Sequence, residues 1–445
     1  MQSHLLGISG IGMSGLAKLL AARGERVSGC DRNADPLVAG AWEIRSGHHP
    51  DHLAGVDRLI VSSAIAESEP EVLAARAAGL PVLHRLEAVA ELAGERPSLG
   101  ITGSAGKTTT AAMAATILLR AGQDPCLLVG GRLAELAGDN ARSGSGPLLL
   151  EVDESDPRCA ALKLDLALFT NLEHDHIASQ GGPNYYRSAG EQEQALEQLA
   201  QGSRVVLING EDPALTRLFG SQALRFGFQG EQDYAGRELT LHPMASSFRF
   251  ERAGCSLGEI EVPLPGRHNA MNALAALALT ATWGVDPELA RAALAGFPGT
   301  ERRWQRLGSF QGALVLDDYA HNPAKVAAVL AAARQSGLRV RAIFQPHRVL
   351  RTATSWKQLA AALMAADEIT LLDIYAAGEA EVPGVSSDLI AGELKRLGHP
   401  QVRRTGRPEQ AAQLFGDARP GELLLTIGAG DVVRVGQLLL GGAAC

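Results

Sequence analysis

Residues 102–110 read Thr-Gly-Ser-Ala-Gly-Lys-Thr-Thr-Thr, and the interpretation of the chain starts from this stretch. An apolar run at 98–101 precedes it and an alanine-rich run at 111–119 follows it, which predicts a strand, a glycine loop and a helix. Glycines let backbone N–H groups approach phosphate oxygens, and the amino end of a helix adds partial positive charge. Lys107 can reach the β- and γ-phosphates, and the hydroxyl of Thr108 can bind Mg²⁺. The stretch departs from the general P-loop pattern in the position of its first glycine, but it still predicts an ATP site.

The composition is that of an ordinary globular protein. The chain has 445 residues, of which 46% are hydrophobic and 20% are charged, and this length suggests about two to four domains. A net charge of −8, without a lysine–arginine cluster, argues against nucleic-acid binding. The five cysteines are scattered and lack Cys-x-x-Cys spacing, so we expect reduced thiols in a cytoplasmic protein and no zinc site. We expect neither a signal peptide nor membrane insertion, and the sequence leaves open a monomer or a homodimer.

A second glycine-rich stretch lies near the start of the chain. Residues 7–15 read Gly-Ile-Ser-Gly-Ile-Gly-Met-Ser-Gly, between a predicted strand at 4–8 and a predicted helix at 16–23. Another predicted strand, at 26–29, is followed by Asp31, and together these elements form a βαβ unit roughly like that of a Rossmann fold. Dehydrogenases and UDP-sugar binders both use such loops to seat a diphosphate on a helix amino end, so the loop alone leaves both classes open.

The alternation of strands and helices predicts three α/β domains in series, with mostly parallel sheets. We expect these domains at residues 1–95, 96–297 and 298–445, with an antiparallel appendage at 239–262 and a helix at 269–283. The main strands predicted for the second and third domains lie at 98–102, 125–129, 148–152, 164–170, 204–209, 314–317, 340–344, 368–372 and 422–427.

Two acidic clusters follow predicted strands close to the phosphate loop. Glu151 and Glu154 end one strand, and a run at 171–176 reading Asn-Leu-Glu-His-Asp-His follows the next. Ligands bind at the carboxyl ends of strands in open α/β sheets, so we expect Glu151 and His176 to converge with Thr108 on Mg²⁺. An imidazole is a less usual ligand for this ion. Glu154 and His174 are weaker candidates for the metal; the sequence leaves Glu151 or Glu154 open as the ligand, and Glu154 can instead orient a neighbour or cap a helix.

Two later regions carry further candidate binding residues. Asn269 and Asn272, three residues apart at a predicted helix start, can share a face and contact a nucleotide, or can act as helix caps. Arg303, near a predicted domain boundary, can reach ATP across a cleft. The ends of two strands in the third domain carry a set of cationic and imidazole side chains: His321, His347, Arg348 and Arg351. Paired arginines there suit a small carboxylate substrate.

Taken together, these segments resemble the Mur ligase family, the ATP-dependent amide-forming enzymes of peptidoglycan synthesis. The resemblance covers nearly the whole chain in order. It rests on Gly-Ile-Gly-Met-Ser-Gly (10–15), Gly-Lys-Thr-Thr-Thr (106–110), Glu-Val-Asp-Glu-Ser-Asp (151–156), Asn-Leu-Glu-His-Asp-His (171–176), Pro-Gly-Arg-His-Asn-Ala-Met-Asn (265–272), Phe-Pro-Gly-Thr-Glu-Arg-Arg (297–303), Phe-Gln-Pro-His-Arg (344–348) and Tyr-Ala-Ala-Gly-Glu (375–379).

The resemblance implies a Rossmann-like UDP-binding domain, a P-loop ATPase domain and a Rossmann-like C-terminal domain that binds an amino acid. The implied reaction begins when the carboxylate of UDP-N-acetylmuramate attacks the γ-phosphate of ATP and forms an acyl phosphate. The amine of an amino acid, L-alanine in the branch that this chain resembles most, then displaces phosphate. ATP and Mg²⁺ are the implied cofactors, and cell wall biogenesis, cell shape and cell division are the implied processes.

The resemblance also assigns roles to individual residues. The catalytic residues would be Lys107, His176, Arg303 and Asp318. ATP would be bound by Gly103, Gly106, Lys107, Thr108, Thr109, Asn269, Asn272 and Arg303. Mg²⁺ would be bound by Thr108, Glu151 and His176. The UDP moiety would be bound by Gly10, Gly12, Ser14 and Asp31. The amino acid would be bound by Tyr319, His321, His347, Arg348 and Arg351.

Several positions depart from the family pattern. Ala105 replaces a histidine of the phosphate loop, Ser9 replaces a glycine, and Val349 replaces an aromatic residue. The alanine-adding members usually read Asp-Tyr-Gly-His-His-Pro where this chain reads Asp-Tyr-Ala-His-Asn-Pro at 318–323. A ligase that adds another amino acid or a recycled tripeptide is therefore an alternative. A non-catalytic nucleotide-binding protein is another, and an NAD-dependent oxidoreductase would leave the phosphate loop without a use.

Overall fold

The computed structural model describes residues 1–32, 42–174, 177 and 186–441, and it arranges them around three β-sheets. Their contacts divide the chain into two compact units. The first unit consists of residues 1–237, 249–260 and 271–298, and the second consists of residues 238–248, 261–270 and 299–445. The expected α/β architecture with three domains and mostly parallel sheets is confirmed. Among the described residues, no helix combines the length and the apolar character needed to cross a bilayer.

The first sheet is small and parallel. Its strands are β1 (Gln2–Leu6), β2 (Arg26–Asp31), β3 (Glu43–Ser46), β4 (Arg58–Val61) and β5 (Val82–His84), and its helices are α1 (Ile11–Ala22), α2 (Pro70–Ala77) and α3 (Arg85–Gly94). The strand order is β3-β2-β1-β4-β5. Successive side chains of a strand point to opposite faces, so Leu5 packs with Leu16 of α1 while Leu6 packs with Val72 of α2. A short 3₁₀ helix, Pro50–Leu53, precedes β4.

The first sheet differs from the expectation in two places. Helix α1 begins at Ile11 rather than at residue 16, so Gly12 and Ser14 lie on the helix and not in a loop. The helical pattern is hard to recognise there because Gly12, Ser14 and Gly15 interrupt the apolar residues at the start of α1. Strand β3 was not predicted, since its sequence Glu-Ile-Arg-Ser carries one apolar residue only.

The second sheet has ten strands and carries the phosphate loop. The strands are β6 (Ser98–Thr102), β7 (Cys126–Leu133), β8 (Asp139–Arg142), β9 (Leu148–Glu151), β10 (Leu166–Phe169), β11 (Val205–Asn209), β12 (Leu224–Gly227), β13 (Tyr234–Leu241), β14 (Ser246–Arg252) and β15 (Cys255–Val262). The helices are α4 (Lys107–Arg120), α5 (Ala189–Gln201), α6 (Pro213–Phe219), α7 (Arg267–Trp283) and α8 (Pro287–Ala295). The strand order is β15-β14-β13-β12-β11-β10-β6-β9-β7-β8.

Two expectations for this region are wrong. The strands predicted as a separate antiparallel appendage continue the main sheet, because β13 pairs with β12 in parallel. Strands β7 and β8 form an antiparallel pair in this sheet, and that pair was not expected. Helix α7 begins at Arg267, two residues before the predicted start, so neither Asn269 nor Asn272 is a helix cap.

Within the first unit, one hydrophobic core joins the first and second sheets. It includes Leu16 of α1, Val89 of α3, Leu128 of β7 and Leu150 of β9. Gly15 allows this packing, since a Cβ atom there would lie 2.7 Å from a methyl group of Leu128 and 2.6 Å from Asn140 Nδ2. The amino end of α1 is thereby fixed against the second sheet.

The third sheet belongs to the second unit. Its strands are β16 (Gln305–Phe310), β17 (Ala313–Asp318), β18 (Arg339–Phe344), β19 (Glu368–Leu371), β20 (Val402–Arg404) and β21 (Glu422–Ile427). Its helices are α9 (Pro323–Gln335), α10 (Val349–Leu363), α11 (Ser387–Arg396), α12 (Pro408–Gln413) and α13 (Val433–Leu439). The order β16-β17-β21-β18-β19-β20 places β21 between β17 and β18, and only the β16–β17 pair is antiparallel. Arg341 of β18 is 1% exposed and pairs with Glu422 of β21 at 3.2 Å and with Glu368 of β19 at 3.1 Å.

Candidate active site

The phosphate loop joins β6 to α4 and has a backbone that requires glycine at two positions. Gly103 has φ 124° and Gly106 has φ 85°, conformations that residues with a Cβ atom rarely adopt. A Cβ atom would lie 2.2 Å from Thr170 Oγ1 at Gly103, and 2.4 Å from Asn272 Oδ1 at Gly106. The Ala105 amide donates a 2.8 Å hydrogen bond to Asn171 Oδ1, which ties the loop to the end of the neighbouring strand. The predicted strand–loop–helix is therefore present and rigidly supported.

Lys107 is held by groups on both sides of the loop. Its Nζ donates to the Gly103 carbonyl at 2.5 Å and lies 2.7 Å from Glu154 Oε2. Burial alone would lower the pKa of Lys107, but the negative charges of Glu154 and Glu151 outweigh it and raise that pKa. Glu154, which the sequence suggested as an alternative metal ligand or as an orienting or capping group, is the direct partner of this lysine. The ammonium group remains charged and available to a phosphate.

Thr108 and Glu151, both predicted to bind magnesium, lie in contact beside Lys107, and their magnesium role stays a prediction. The Thr108 hydroxyl donates to Glu151 Oε1 at 3.1 Å, and Glu151 Oε2 accepts a 2.9 Å hydrogen bond from the Gly130 amide. A hydroxyl and a carboxylate are the oxygen ligands that Mg²⁺ prefers. Thr109 follows on the buried side of α4.

The third predicted magnesium ligand, His176, lies outside the described residues. Its neighbour His174 is described, and its ring contacts α5 instead: Nδ1 lies 3.3 Å from Gln192 Oε1, and Nε2 lies 3.2 Å from Glu193 Oε1.

One cavity of about 320 Å³ is lined by both glycine-rich segments of the first unit. Its wall includes Gly10, Gly12, Ser62, Arg85, Lys107, Gly130, Glu151 and Asp153. Arg85 of α3 lies beside Gly12, where a Cβ atom would be 3.1 Å from Nη1, and its Nη2 lies 3.7 Å from Asp153 Oδ2. Burial would raise the pKa of Asp153, but Lys107 and Arg85 lower it further than burial raises it. The cavity thus combines two cations with carboxylates.

The predicted UDP-binding residues divide into two groups. Gly10 and Gly12 line the cavity, and Gly10 precedes the first turn of α1. Ser14 is 6% exposed, its hydroxyl donates to the Ile11 carbonyl at 3.0 Å, and it is absent from the described cavity wall. Asp31 accepts a 3.1 Å hydrogen bond from the Ser9 amide and so supports the loop. A UDP contact of Ser14 or Asp31 stays a prediction.

The two asparagines of α7 have different surroundings. Asn272 lies next to the phosphate loop, where its Oδ1 is 3.4 Å from Thr110 Oγ1. Asn269 Nδ2 donates to the Pro265 carbonyl at 2.8 Å. Its predicted ATP contact stays a prediction.

In the second unit, two arginines flank the ring of Tyr319. The guanidinium carbons of Arg302 and Arg303 lie 5.0 and 4.9 Å from the ring centroid. Asp318 accepts hydrogen bonds from the Trp304 amide at 2.8 Å and from the Ala320 amide at 2.9 Å. Burial raises the pKa of Asp318, although Arg303 opposes this effect. The ATP contact predicted for Arg303 is untested.

The histidines and arginines at the ends of β17 and β18 form a cluster in the second unit, as the sequence indicated. The rings of His321 and His347 are 5.8 Å apart, and His347 stacks on Tyr375 at 5.7 Å. Arg351 Nη1 lies 3.3 Å from His347 Nδ1. Arg348 is the N-cap residue that precedes α10 and has φ 69°, and its Nε lies 3.5 Å from Glu379 Oε1.

The charge state of this cluster follows from burial and from its cations. Burial, reinforced by the positive charges of Arg351 and Arg348, lowers the pKa of His347 to about 4. Burial and Arg351 also hold the pKa of His321 well below its ordinary value. Both imidazoles are therefore neutral near neutral pH. The cluster offers positive charge on its arginines and neutral rings between them.

Sequence reasoning missed several residues of these sites. Arg85 and Gly130 carried no motif, and Glu154 was not connected with Lys107. Tyr375 and Glu379 belong to the segment Tyr-Ala-Ala-Gly-Glu (375–379), so that motif was a signal for them, although no role was assigned to either residue.

Comparison with known proteins identifies relatives over nearly the whole chain. Three family models match the chain in order: the Mur ligase family catalytic domain at residues 2–96, the Mur ligase middle domain at 101–280 and the Mur ligase glutamate ligase domain at 302–430. A relative named UDP-N-acetylmuramate–L-alanine ligase, from Deinococcus radiodurans, is 44% identical over 99% of this chain and 94% of its own length. One of the same name from Gloeobacter violaceus is 39% identical over 97% of this chain and 94% of its own length.

Solved structures show the same likeness. The UDP-N-acetylmuramate-alanine ligase from Thermotoga maritima has a TM-score of 0.85 and 26% identity, covering 99% of this chain and 98% of that one. A murein peptide ligase from Psychrobacter arcticus shares the fold, with a TM-score of 0.70 and 21% identity over 100% of this chain and 99% of that one.

Proposed function

The chain belongs to the Mur ligase family, and on that premise we propose that it joins L-alanine to the carboxylate of UDP-N-acetylmuramate. The members of this family are ATP-dependent ligases that form amide bonds, and the products here would be ADP, phosphate and UDP-N-acetylmuramoyl-L-alanine. The reaction is a step of peptidoglycan precursor synthesis.

The observation that carries the proposal is the shared cavity of the first unit. A diphosphate seated on the amino end of α1, at Gly10 and Gly12, would lie in the same cavity as Lys107 and Glu151. A sugar carboxylate attached to that diphosphate would then face the γ-phosphate of ATP. Arg85, also in the cavity wall, suits either the diphosphate or the carboxylate. An oxidoreductase would have no use for a lysine beside carboxylates in the wall of this cavity.

The first chemical step converts a poor acylating agent into a good one. A carboxylate oxygen attacks the γ-phosphorus, the bond to the bridging oxygen breaks, and ADP leaves. The resulting acyl phosphate carries the leaving group for the second step. Lys107 donates to the transferring phosphoryl oxygens, and Glu154 keeps its ammonium group in place. We assign Asn272, Asn269 and Arg303 to ATP as further contacts.

Mg²⁺ fits the oxygen donors beside the loop. Thr108 and Glu151 would hold it, and we retain His176 as a third ligand from the sequence. When bound, the ion neutralises phosphate charge during transfer. The Gly130 amide fixes the orientation of the Glu151 carboxylate through its 2.9 Å hydrogen bond.

The second step uses the amino-acid site of the second unit. Arg348 and Arg351 would bind the carboxylate of L-alanine. The aromatic side chains of Tyr319 and His347 would lie around its small side chain and limit the space for a larger one. The neutral imidazole of His321 can accept a hydrogen bond from the ammonium group. The ammonium group gives one proton to solvent, its nitrogen attacks the acyl carbon, the bond from that carbon to the phosphate oxygen breaks, and phosphate leaves as the nitrogen releases a second proton to solvent. We assign Asp318 to this step as a positioning group.

We also propose the finer organisation that the sequence suggested. The three domains would be residues 1–95, 96–297 and 298–445. The need for ATP and the free thiols of Cys30, Cys126, Cys159 and Cys255 favour the cytoplasm.

The test is phosphate release from ATP in the presence of UDP-N-acetylmuramate, Mg²⁺ and single amino acids. We expect release with L-alanine, and a product whose mass is that of UDP-N-acetylmuramate plus alanine minus water. The control omits UDP-N-acetylmuramate and should release no phosphate. The tripeptide L-Ala-D-Glu-meso-diaminopimelate is tested in parallel, because the Ala-His-Asn variation at 320–322 lies in the amino-acid site. Turnover only with the tripeptide or with another amino acid would overturn the alanine assignment, and no turnover with any acceptor would overturn the proposal.

A further inference from the structure

Four potential metal ligands meet on one face of the first sheet. They are His4 of β1, Cys30 of β2, His52 of the 3₁₀ helix Pro50–Leu53, and Glu71 of α2. Each offers one ligand atom, and these atoms lie within 4.8 Å of one another. His4, Cys30 and Glu71 are 0% exposed, and the His52 side chain is 12% exposed. We call these four residues the four-ligand cluster.

Several separations within the four-ligand cluster are close to those around one tetrahedral ion, and all of its ligand atoms lie within 4.8 Å of one another. Metal–ligand bonds of about 2.0–2.3 Å give tetrahedral edges of about 3.3–3.7 Å. His4 Nε2 lies 3.4 Å from Cys30 Sγ, and the Oε2 atom of Glu71 lies 3.3 Å from Cys30 Sγ and 3.5 Å from His52 Nδ1, whereas His4 approaches the other carboxylate oxygen. The shortest, 3.0 Å from His4 Nε2 to Glu71 Oε1, is within a few tenths of an ångström of this range.

Neighbouring groups orient these side chains in the manner of a metal site. His4 Nδ1 lies 2.9 Å from Ser28 Oγ, so Nδ1–H can donate a hydrogen bond to that oxygen, and this tautomer leaves the Nε2 lone pair pointing into the cluster. The His49 amide donates to Glu71 Oε2 at 3.0 Å. His52 Nδ1 is buried and makes no hydrogen bond with any part of the chain that the structure describes, although it points at Glu71.

From this geometry we propose that the four-ligand cluster is a structural Zn²⁺ site. Two imidazoles, a thiolate and a carboxylate are zinc ligands, whereas Mg²⁺ would select oxygen alone. Four protein ligands fill a tetrahedron, which is the pattern of structural rather than catalytic zinc. The ion would link β1, β2, the 3₁₀ helix and α2.

The site is separate from the magnesium position of the proposed reaction. His4 shares a face of β1 with Leu6, which packs against Val72 of α2. Leu5, on the opposite face, packs in the core that continues toward the phosphate loop. A failure of the zinc proposal would therefore leave the ligase proposal unaffected, and the reverse also holds.

The experiment measures metal in the full-length chain. The protein is purified without chelator, dialysed against excess Mg²⁺ to clear weak oxygen sites, and analysed for zinc by mass spectrometry. We expect one zinc per chain. Substitution by Co²⁺ should then give the visible bands of tetrahedral cobalt and a thiolate-to-cobalt charge-transfer band, which oxygen ligands cannot produce.

Variants assign the ligands. Cys30→Ser should abolish the charge-transfer band, and His52→Gln should weaken zinc binding at least about tenfold in a chromophoric chelator competition. Cys126→Ser, which alters another buried cysteine outside the cluster, should retain the zinc and the band. His52 lies at the edge of the cluster, so His52→Gln remains informative if Cys30→Ser fails to fold. Absence of stoichiometric zinc, or zinc bound equally by His52→Gln and the unmodified chain, would overturn the proposal.

Discussion

Lys107 Nζ lies 2.7 Å from Oε2 of Glu154, a carboxylate that is 1% exposed. The cation of the phosphate loop is therefore oriented by a group from the segment that follows the neighbouring strand β9. Because the pair is largely buried, its interaction is weakly screened by solvent.

We predict that Glu154→Gln impairs ATP use. The substituted amide keeps the shape of the side chain but loses its charge, and with it the ion pair that holds Lys107. We expect kcat/KM for ATP to fall about 10- to 100-fold, measured by phosphate release. Glu191→Gln, which breaks a surface ion pair with Arg187, is the control and should leave the rate unchanged. An unaltered kcat/KM in Glu154→Gln would mean that Glu154 does not position the lysine.

The second prediction separates the metal ligand from the lysine partner. Glu151 contacts Thr108 and the Gly130 amide, so Glu151→Gln should shift the Mg²⁺ concentration for half-maximal activity upward by at least about tenfold. Glu154→Gln should leave that concentration nearly unchanged while it lowers the rate. Titration of Mg²⁺ at saturating ATP distinguishes the two. The reverse pattern, with Glu154→Gln alone changing the Mg²⁺ requirement, would contradict our assignment.

Gly106→Ala is predicted to damage the phosphate loop for two reasons. It forces a Cβ atom into a backbone with φ 85°, and it places that atom 2.4 Å from Asn272 Oδ1. Gly122→Ala is the matched control, because Gly122 has φ 70° but no atom within 4 Å of its added Cβ. We expect a cost of about 1 kcal/mol for Gly122→Ala and a larger cost, with loss of ATP binding, for Gly106→Ala. Thermal unfolding with and without ATP measures the stability of each variant and its binding of ATP. If Gly106→Ala and Gly122→Ala lost the same stability and both bound ATP, the clash with Asn272 would have been relieved.

The pH dependence of stability should reflect His347. Its pKa is lowered to about 4 from the ordinary 6.5, so between these values the unfolded chain binds a proton that the folded chain does not. The stability contributed by the neutral form is therefore complete above pH 6.5 and is lost as the pH falls toward 4. The free energy of unfolding of the unmodified chain should fall between about pH 7 and about pH 5. In His347→Gln this fall should be smaller, by up to about 2 kcal/mol.

The measurement for His347 is the thermal midpoint at the two pH values. His242→Gln, at an exposed histidine, is the control and should follow the unmodified chain. Asp317 also titrates in this range, because burial raises its pKa to about 6, and its protonation stabilises the folded chain as the pH falls. Asp317 is present in both proteins, so comparing His347→Gln with the unmodified chain isolates the effect of His347. Identical pH profiles for His347→Gln and the unmodified chain would contradict the prediction.

Much of the active site was predictable because its residues lie in compact local motifs. The glycine loop with Lys107 and Thr108 specifies its own turn, and Glu151 follows a strand that any parallel sheet places near the loop. The histidines and arginines at the ends of β17 and β18 converge by the same rule. In these cases short-range sequence and sheet geometry were sufficient.

The remaining contacts depend on how separate elements pack. Arg85 reaches the cavity from α3 because the first two sheets share one core, and no local pattern encodes that. The partnership of Glu154 with Lys107 depends on a side-chain direction at the end of β9. The cluster of His4, Cys30 and Glu71 joins residues far apart in the chain, which is why the absence of Cys-x-x-Cys spacing led to an expectation of no zinc site.

The position of β21 bears on how the protein is made. This strand is the last that the structure describes along the chain, yet it separates β17 from β18 in the sheet and supplies Glu422 to the buried Arg341. During synthesis on the ribosome, β17 and β18 must wait for about a hundred further residues before their common neighbour emerges. Until then each has an unpaired edge, and Arg341 lacks one of its carboxylates. The third sheet is therefore expected to close only once β21 has been synthesised, and in that interval its unpaired strand edges are open to mispairing.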